Sequence, residues 1–154
     1  MPILSQNIHR IVTTPWQPQQ AAIRYQHRMP TVFKRLGLGH PRFDLLHLGM
    51  GDDGHTASLF PNSPVLRQTL QQQPWAAAAW VPHLHTWRIT LTPQALGHAK
   101  KMVFLLAGKG KAHRLAQVLQ GPHASNALPS QKVWRASKQQ CHWFVDQAAA
   151  RCIK

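Results

Sequence analysis

The 154-residue sequence predicts an α/β fold, an open and mostly parallel sheet with helices packed on its faces. Three observations carry this expectation. Short apolar runs at 43–48, 101–107 and 141–145 read as buried strands. Segments of helical character at 19–36, 108–120 and 129–137 separate them, and alternation of strands with helices is the pattern of a sheet covered by its own connections. The length and the 44% apolar content fit one globular domain spanning 1–154.

In chain order, residues 1–18 form an irregular, proline-containing lead-in. The 19–36 helix carries Ala21, Ala22, Tyr25 and Phe33 among many Gln and Arg residues. Pro30 has no N–H to give, so it is expected to end or kink that helix. The 43–48 strand leads into a short helical turn at 55–60, and a Gln-rich, proline-bounded link covers 62–74. A strand follows at 76–81, and Trp87-Arg-Ile-Thr-Leu-Thr92 alternates polar and apolar residues as a half-exposed strand does. A helical turn is expected at 93–99, and the 108–120 helix is amphipathic through Leu115 and Leu119. Asp146 is placed to cap a terminal helix at 146–152. Trp75, Trp80, Trp87 and Trp143 border apolar segments and read as core.

The charge balance is unusual. Eighteen Lys and Arg face four acids, a net charge of +14, and there is no glutamate but sixteen glutamines. Such a surface attracts polyanions, so nucleic acid, acidic membranes and phosphorylated metabolites are all candidate partners. A general drift toward basic composition, with Gln standing in for Glu, accounts for it equally well. No stretch nears the ~20 consecutive apolar residues of a membrane-spanning helix, and the N-terminus has no secretory pattern. Cys141 and Cys152 form no CxxC pair or disulfide framework, so a reducing, cytoplasmic setting is expected. His83-x-His85 lacks a third ligand at motif spacing, and no metal is expected. No zinc-finger, RRM, KH or homeodomain pattern marks a nucleic-acid binder.

The four acids are Asp44, Asp52, Asp53 and Asp146, and two of them stand in Gly49-Met-Gly51-Asp-Asp-Gly54-His55, directly after a strand. Gly-x-Gly-x-x-Gly matches a dinucleotide-binding fingerprint, but that reading needs an acid about 20 residues on. None occurs between Gly54 and Asp146. A second reading is a tight turn, with an aspartate capping the short helix after it. A third is catalytic: ligands of open α/β sheets bind beyond the carboxyl ends of strands. There, a histidine whose tautomer is fixed by a carboxylate can take a proton from water. Without a GxSxG nucleophile elbow, His55 with Asp52 or Asp53 suits direct water attack on an activated ester or lactone. The strand at 101–107 runs into Gly108-Lys-Gly-Lys111 at a helix start, a place where backbone N–H groups and lysines hold anions. Arg88, on a strand, adds a guanidinium fork for the same anion.

The segment Phe43-Asp-Leu-Leu-His-Leu-Gly-Met-Gly-Asp-Asp-Gly-His-Thr-Ala-Ser-Leu-Phe-Pro61 resembles the signature of bacterial 6-phosphogluconolactonases. Asn7-Ile-His-Arg10, Val81-Pro-His-Leu, Trp87-Arg-Ile-Thr-Leu-Thr-Pro93, Val103-Phe-Leu-Leu-Ala-Gly with Lys111-Ala112, Leu128-Pro129 and Trp143-Phe-Val-Asp146 come in the family's order. The wider superfamily includes glucosamine-6-phosphate deaminases, which share GxDGH; Thr56-Ala-Ser-Leu-Phe favours the lactonase branch. The resemblance implies a Rossmann-like sheet and hydrolysis of 6-phospho-D-glucono-1,5-lactone to 6-phosphogluconate without metal or organic cofactor. It implies His55 as the water-activating base, Asp53 or Asp52 as its support, and Arg88 and Lys111 on the phosphate. The loop glycines Gly49, Gly51 and Gly54 would line the substrate site.

The chain departs from the family in two ways. It lacks the family's N-terminal Ser-Gly-Gly-Ser-Thr-Pro phosphate loop and Asp-Glu-Arg segment, so the fold is expected to be truncated on its N-terminal side, with a sheet edge exposed or a separately encoded N-terminal portion covering it. Asn62 replaces the usual glycine, a tolerable change because Asn also reaches left-handed backbone angles. An inactive remnant and a basic nucleic-acid-binding module on a lapsed enzyme are the competing readings.

Overall fold

A computed structural model describes residues 2–15, 17–122, 126–137 and 140–154. In chain order it contains α1 (Pro18–Arg35), β1 (Leu45–Leu48), β2 (Ala76–Val81), β3 (Thr86–Leu91), α2 (Pro93–Gly97), β4 (Lys101–Leu106), α3 (Ala112–Gln120), α4 (Pro129–Ala136), β5 (Gln140–Val145) and α5 (Gln147–Ala150), with short 3₁₀ turns between them. The expected α/β class is observed. Strands β1, β4 and β5 form a parallel sheet in the order β1-β4-β5, and β2 and β3 form a separate antiparallel hairpin.

Register explains the core. Leu46 pairs with Met102, which pairs with Cys141, and Leu48 pairs with Phe104, which pairs with Trp143. Side chains alternate across a strand, so this set shares one face. There it meets Leu96, Leu115, Val118, Val133 and Ala149 from α2, α3, α4 and α5. Phe104 lies flat on Trp143, with ring centroids 3.9 Å apart. Fully burying a side chain such as Phe104 or Leu115 stabilises the fold by roughly 1.5–3 kcal/mol. Gln131, also buried, donates to the Gln117, Val118 and Gly121 carbonyls and so closes the C-terminal end of α3.

Several local expectations are corrected. Helix α1 runs through Pro30 instead of ending there. Pro30 is exposed and Gln26, whose carbonyl loses its donor, is a half-exposed residue, a setting in which water can replace that bond. The helix packs through Ala21, Ala22 and Met29, and its main neighbours are β2 and β3. Residues 55–60 are not helical: a Thr56–Leu59 bridge closes a tight turn, which forces Ala57 to a φ of 50°. Asn62 does adopt the left-handed backbone, at φ 66°. Trp80 and Trp87 are not core. They meet edge to face at 5.8 Å on the outer side of the hairpin, where both stay exposed, because a two-stranded hairpin has a face that nothing covers.

Candidate active site

The topology gathers the chemistry at one end of the sheet. Strands β1, β4 and β5 are parallel neighbours, so the segments leaving their carboxyl ends emerge together. These are the loop 49–56, the turn 108–111 and Asp146.

The loop after β1 is closed by its own hydrogen bonds. The Gly51 N–H donates to the His55 carbonyl at 2.8 Å, and the Gly54 N–H donates to Gly51 at 3.0 Å. The buried Thr56 hydroxyl donates to the Gly49 carbonyl at 2.7 Å. Gly54 has a φ of 84°, and a Cβ there would lie 3.0 Å from Leu128. Gly51 is required for a different reason. A Cβ on it would sit 2.2 Å from the His55 ring and 2.9 Å from Asp53 Oδ1. Because both amides are spent inside the loop, Gly51 and Gly54 shape the loop instead of offering donors to a ligand.

This compression aims the imidazole. Asp53 Oδ1 lies 2.7 Å from His55 Nδ1 and also accepts from the His55 backbone N–H at 3.0 Å. Partial burial pushes the Asp53 carboxyl up. The hydrogen bonds from the His55 backbone and ring, with the attraction of that ring, outweigh burial and hold it below the usual carboxylate value. An ionised carboxylate can only accept, so Nδ1 is the donor in this bond, which leaves Nε2, in the neutral tautomer, as the position that can take a proton. Phe60 stacks against the ring at 4.3 Å, and His83 meets Phe60 edge-on at 5.2 Å.

The two adjacent aspartates divide their work. Asp52 Oδ1 lies 2.6 Å from Lys111 Nζ, the Lys111 side chain largely covered (26% exposed) and that of Asp52 open (75%). Lys111 ends the turn that opens α3, and its N–H donates to the Gly108 carbonyl at 3.1 Å. A Cβ on Gly110 would meet the Asp52 oxygens only at an ordinary contact distance of 3.7 Å, so the approach of the two loops does not depend on glycine there. The turn is also fastened from β5. Asp146 accepts the Gly108 N–H at 3.0 and 3.1 Å while capping α5 through the Ala149 N–H at 2.7 Å. The capping role was expected; the tie to Gly108 was not, because it spans 38 positions and no local pattern signals it.

Arg88 is exposed on β3, opposite Ala79. It shares a hairpin face with Thr90, whose hydroxyl accepts the Ser58 N–H at 3.1 Å, so the hairpin is stitched to the His55 loop two residues beyond Arg88. Among the described residues Arg88 makes no ion pair with the rest of the site. The described residues contain no group of three or more His, Cys, Asp or Glu arranged to hold a metal, and no helix long and apolar enough to cross a membrane.

Residues 1–143 match the profile of the family described as glucosamine-6-phosphate isomerases/6-phosphogluconolactonase. The chain belongs to this family. It is 36% identical over 151 residues to a 6-phosphogluconolactonase of a Synechocystis strain, covering 96% of this chain and 59% of that relative. The human 6-phosphogluconolactonase is 37% identical over 135 residues, 88% of this chain and 50% of the human one. The crystal structure of devB protein superposes with a TM-score of 0.79 at 31% identity, over 100% of this chain and 62% of that one. A 6-phosphogluconolactonase from Thermotoga maritima superposes at 0.71 with 28% identity, over 93% and 57%. The chain thus spans between half and about three-fifths of the length of these family members.

Proposed function

We propose that the chain carries the catalytic corner of a sugar-phosphate lactonase, one that hydrolyses 6-phospho-D-glucono-1,5-lactone to 6-phosphogluconate. The observation that supports this most directly is the 2.7 Å Asp53–His55 pair on the loop adjoining the Lys111 turn. His55 Nε2 takes a proton from water as the oxygen attacks the lactone carbonyl carbon. The Asp53 carboxylate stabilises the imidazolium that forms. The tetrahedral intermediate then collapses, the ring C–O bond breaks, and the imidazolium returns the proton to the departing oxygen. Each step uses only side chains and water. Lys111, with Arg88 contributing from the hairpin, holds the phosphate so that the carbonyl stays at His55, an arrangement that saves orientational entropy.

In this reading the 154 residues act as one unit of a larger fold, whose remaining portion completes the site. Two free cysteines are consistent with a reducing, cytoplasmic setting. The test measures lactone hydrolysis above its spontaneous rate, for the chain and for His55→Ala. Each is assayed alone and together with the unmatched portion of the Synechocystis relative. A rate that depends on His55 is expected; equal rates in both settings would remove the reading.

A further inference from the structure

Two elements outside the catalytic corner hold cations and no acid. Helix α1 carries Arg24, Arg28, Lys34 and Arg35, all exposed, and packs on the β2–β3 hairpin. The hairpin has no carboxylate either. The chain's four acids are all engaged elsewhere: Asp44 with Lys100, Asp52 with Lys111, Asp53 with His55 and Asp146 with the Gly108 N–H. On the hairpin Trp80 and Trp87 pair across the strands and stay 44% and 41% exposed. Their rings meet edge to face, which leaves indole faces open where a stacked pair would close them on each other. Arg88 follows Trp87 and so points to the other side of β3, where it serves the phosphate anchor proposed above.

We propose that α1 and the hairpin form a second binding surface, which takes single-stranded nucleic acid: bases stack on Trp80 and Trp87 while Arg24, Arg28, Lys34 and Arg35 attract the backbone phosphates. The inference does not depend on lactone hydrolysis. Open aromatic faces combined with cations are what bind single strands without reading their sequence. A duplex keeps its base faces inside the stack and offers this surface phosphates alone. An anionic membrane takes up a basic helix through the helix's apolar face, and in α1 that face, with Ala21, Ala22 and Met29, is already buried. A second copy of the chain would bring together surfaces of one sign, each chain carrying a net charge of +14. Charge and aromatic chemistry together therefore select an unpaired polynucleotide.

The experiment titrates the full 154-residue chain with labelled oligothymidylate and oligouridylate, each about a dozen nucleotides long, at several salt concentrations. Anisotropy gives the affinity and tryptophan fluorescence reports stacking. Saturable binding with quenching is expected, tighter for the single strands than for a duplex of equal length. The slope of log affinity against log salt should be about −0.7 for each phosphate contact. Trp80→Ala and Trp87→Ala should each weaken binding about fivefold or more, and Trp87→Phe should recover most of that loss. Replacing Lys34 and Arg35 together by Gln should flatten the salt slope and leave the quenching at saturation. His55→Ala should bind as the parent does, which separates failure here from failure of catalysis. Tighter binding of one oligonucleotide assigns the surface to DNA or to RNA. The comparison of strand with duplex uses the parent chain, so it decides even where a variant fails to fold. Duplex bound as tightly as single strand would overturn the proposal. So would binding that follows salt but ignores both alanine variants, or binding to phosphatidylserine vesicles with none to either oligonucleotide.

Discussion

The loop after β1 and the turn after β4 sit side by side and are held in opposite ways. Residues 49–56 are fastened mainly from within, Gly51 to His55, Gly54 to Gly51, Thr56 to Gly49 and Asp53 to His55, with the Ser130 N–H on the Gly54 carbonyl as an outside tie. Residues 108–111 are fastened largely from outside, by Asp146 at the end of β5 and by Asp52 of the neighbouring loop. A loop closed mainly by its own hydrogen bonds holds a reacting atom with little help from the chain around it. A turn held by its neighbours transmits their position to whatever it binds. The first arrangement suits a base, the second an anchor for the far end of a substrate.

Mutations should separate the two regions by kinetic signature. The largest effect is expected from His55→Ala, a fall of about 10²–10⁴-fold in kcat, read by lactone hydrolysis in the completed assembly. Gly51→Ala comes next. Its methyl would enter the space of the imidazole, and displacing a catalytic group by about 1 Å costs on the order of 10²-fold; kcat should fall while KM stays near the parent value. Lys111→Met should show the converse pattern, KM raised about 10-fold or more for loss of a charged contact with little change in kcat. A Lys111→Met variant that lost kcat alone would merge the two regions into one.

Asp146→Ala should lower stability by about 1 kcal/mol through the lost cap, a drop of about 2–4 °C in Tm for a chain of this size. Through Gly108 it should also raise KM, by less than Lys111→Met does. The smallest effect concerns acid. The Asp53 carboxyl is held below its ordinary value in the fold. Its contribution is therefore fully present above the ordinary carboxylate pKa and is lost as pH falls through the depressed value. Because Asp53 is 39% exposed, that contribution is less than about 1 kcal/mol. Acid melts of the chain and of Asp53→Asn should converge at the lowest pH and separate above it.

Much of this was legible in the sequence because the signals are local. The runs at 43–48 and 101–107 declare β1 and β4, and the glycine spacing around His55 marks a loop after a strand, although the helical turn expected at 55–60 is a bridged tight turn instead. Proximity of Lys111 to that loop follows once the strands are parallel neighbours, although the pairing of Asp52 with Lys111 and Asp53 with His55 does not. Two identical side chains one position apart have the same sequence signature, and only the backbone decides which way each points. Pro30 misled because its penalty depends on whether the orphaned carbonyl reaches water, a tertiary property. Trp80 and Trp87 misled because hydrophobicity alone does not say whether a strand joins the main sheet or stands in a hairpin with an open side.

The Asp52–Lys111 contact has a consequence for whatever anion arrives. The ammonium already has a carboxylate partner in Asp52, so a phosphate bound there would gain only the difference between its own attraction and that of the carboxylate it pushes aside. Asp52, open to water, is cheaply rehydrated when it leaves. In the proposed reading, capture and release would be an exchange of counter-ions at one nitrogen, which would let go of a charged product as readily as it takes up a charged substrate.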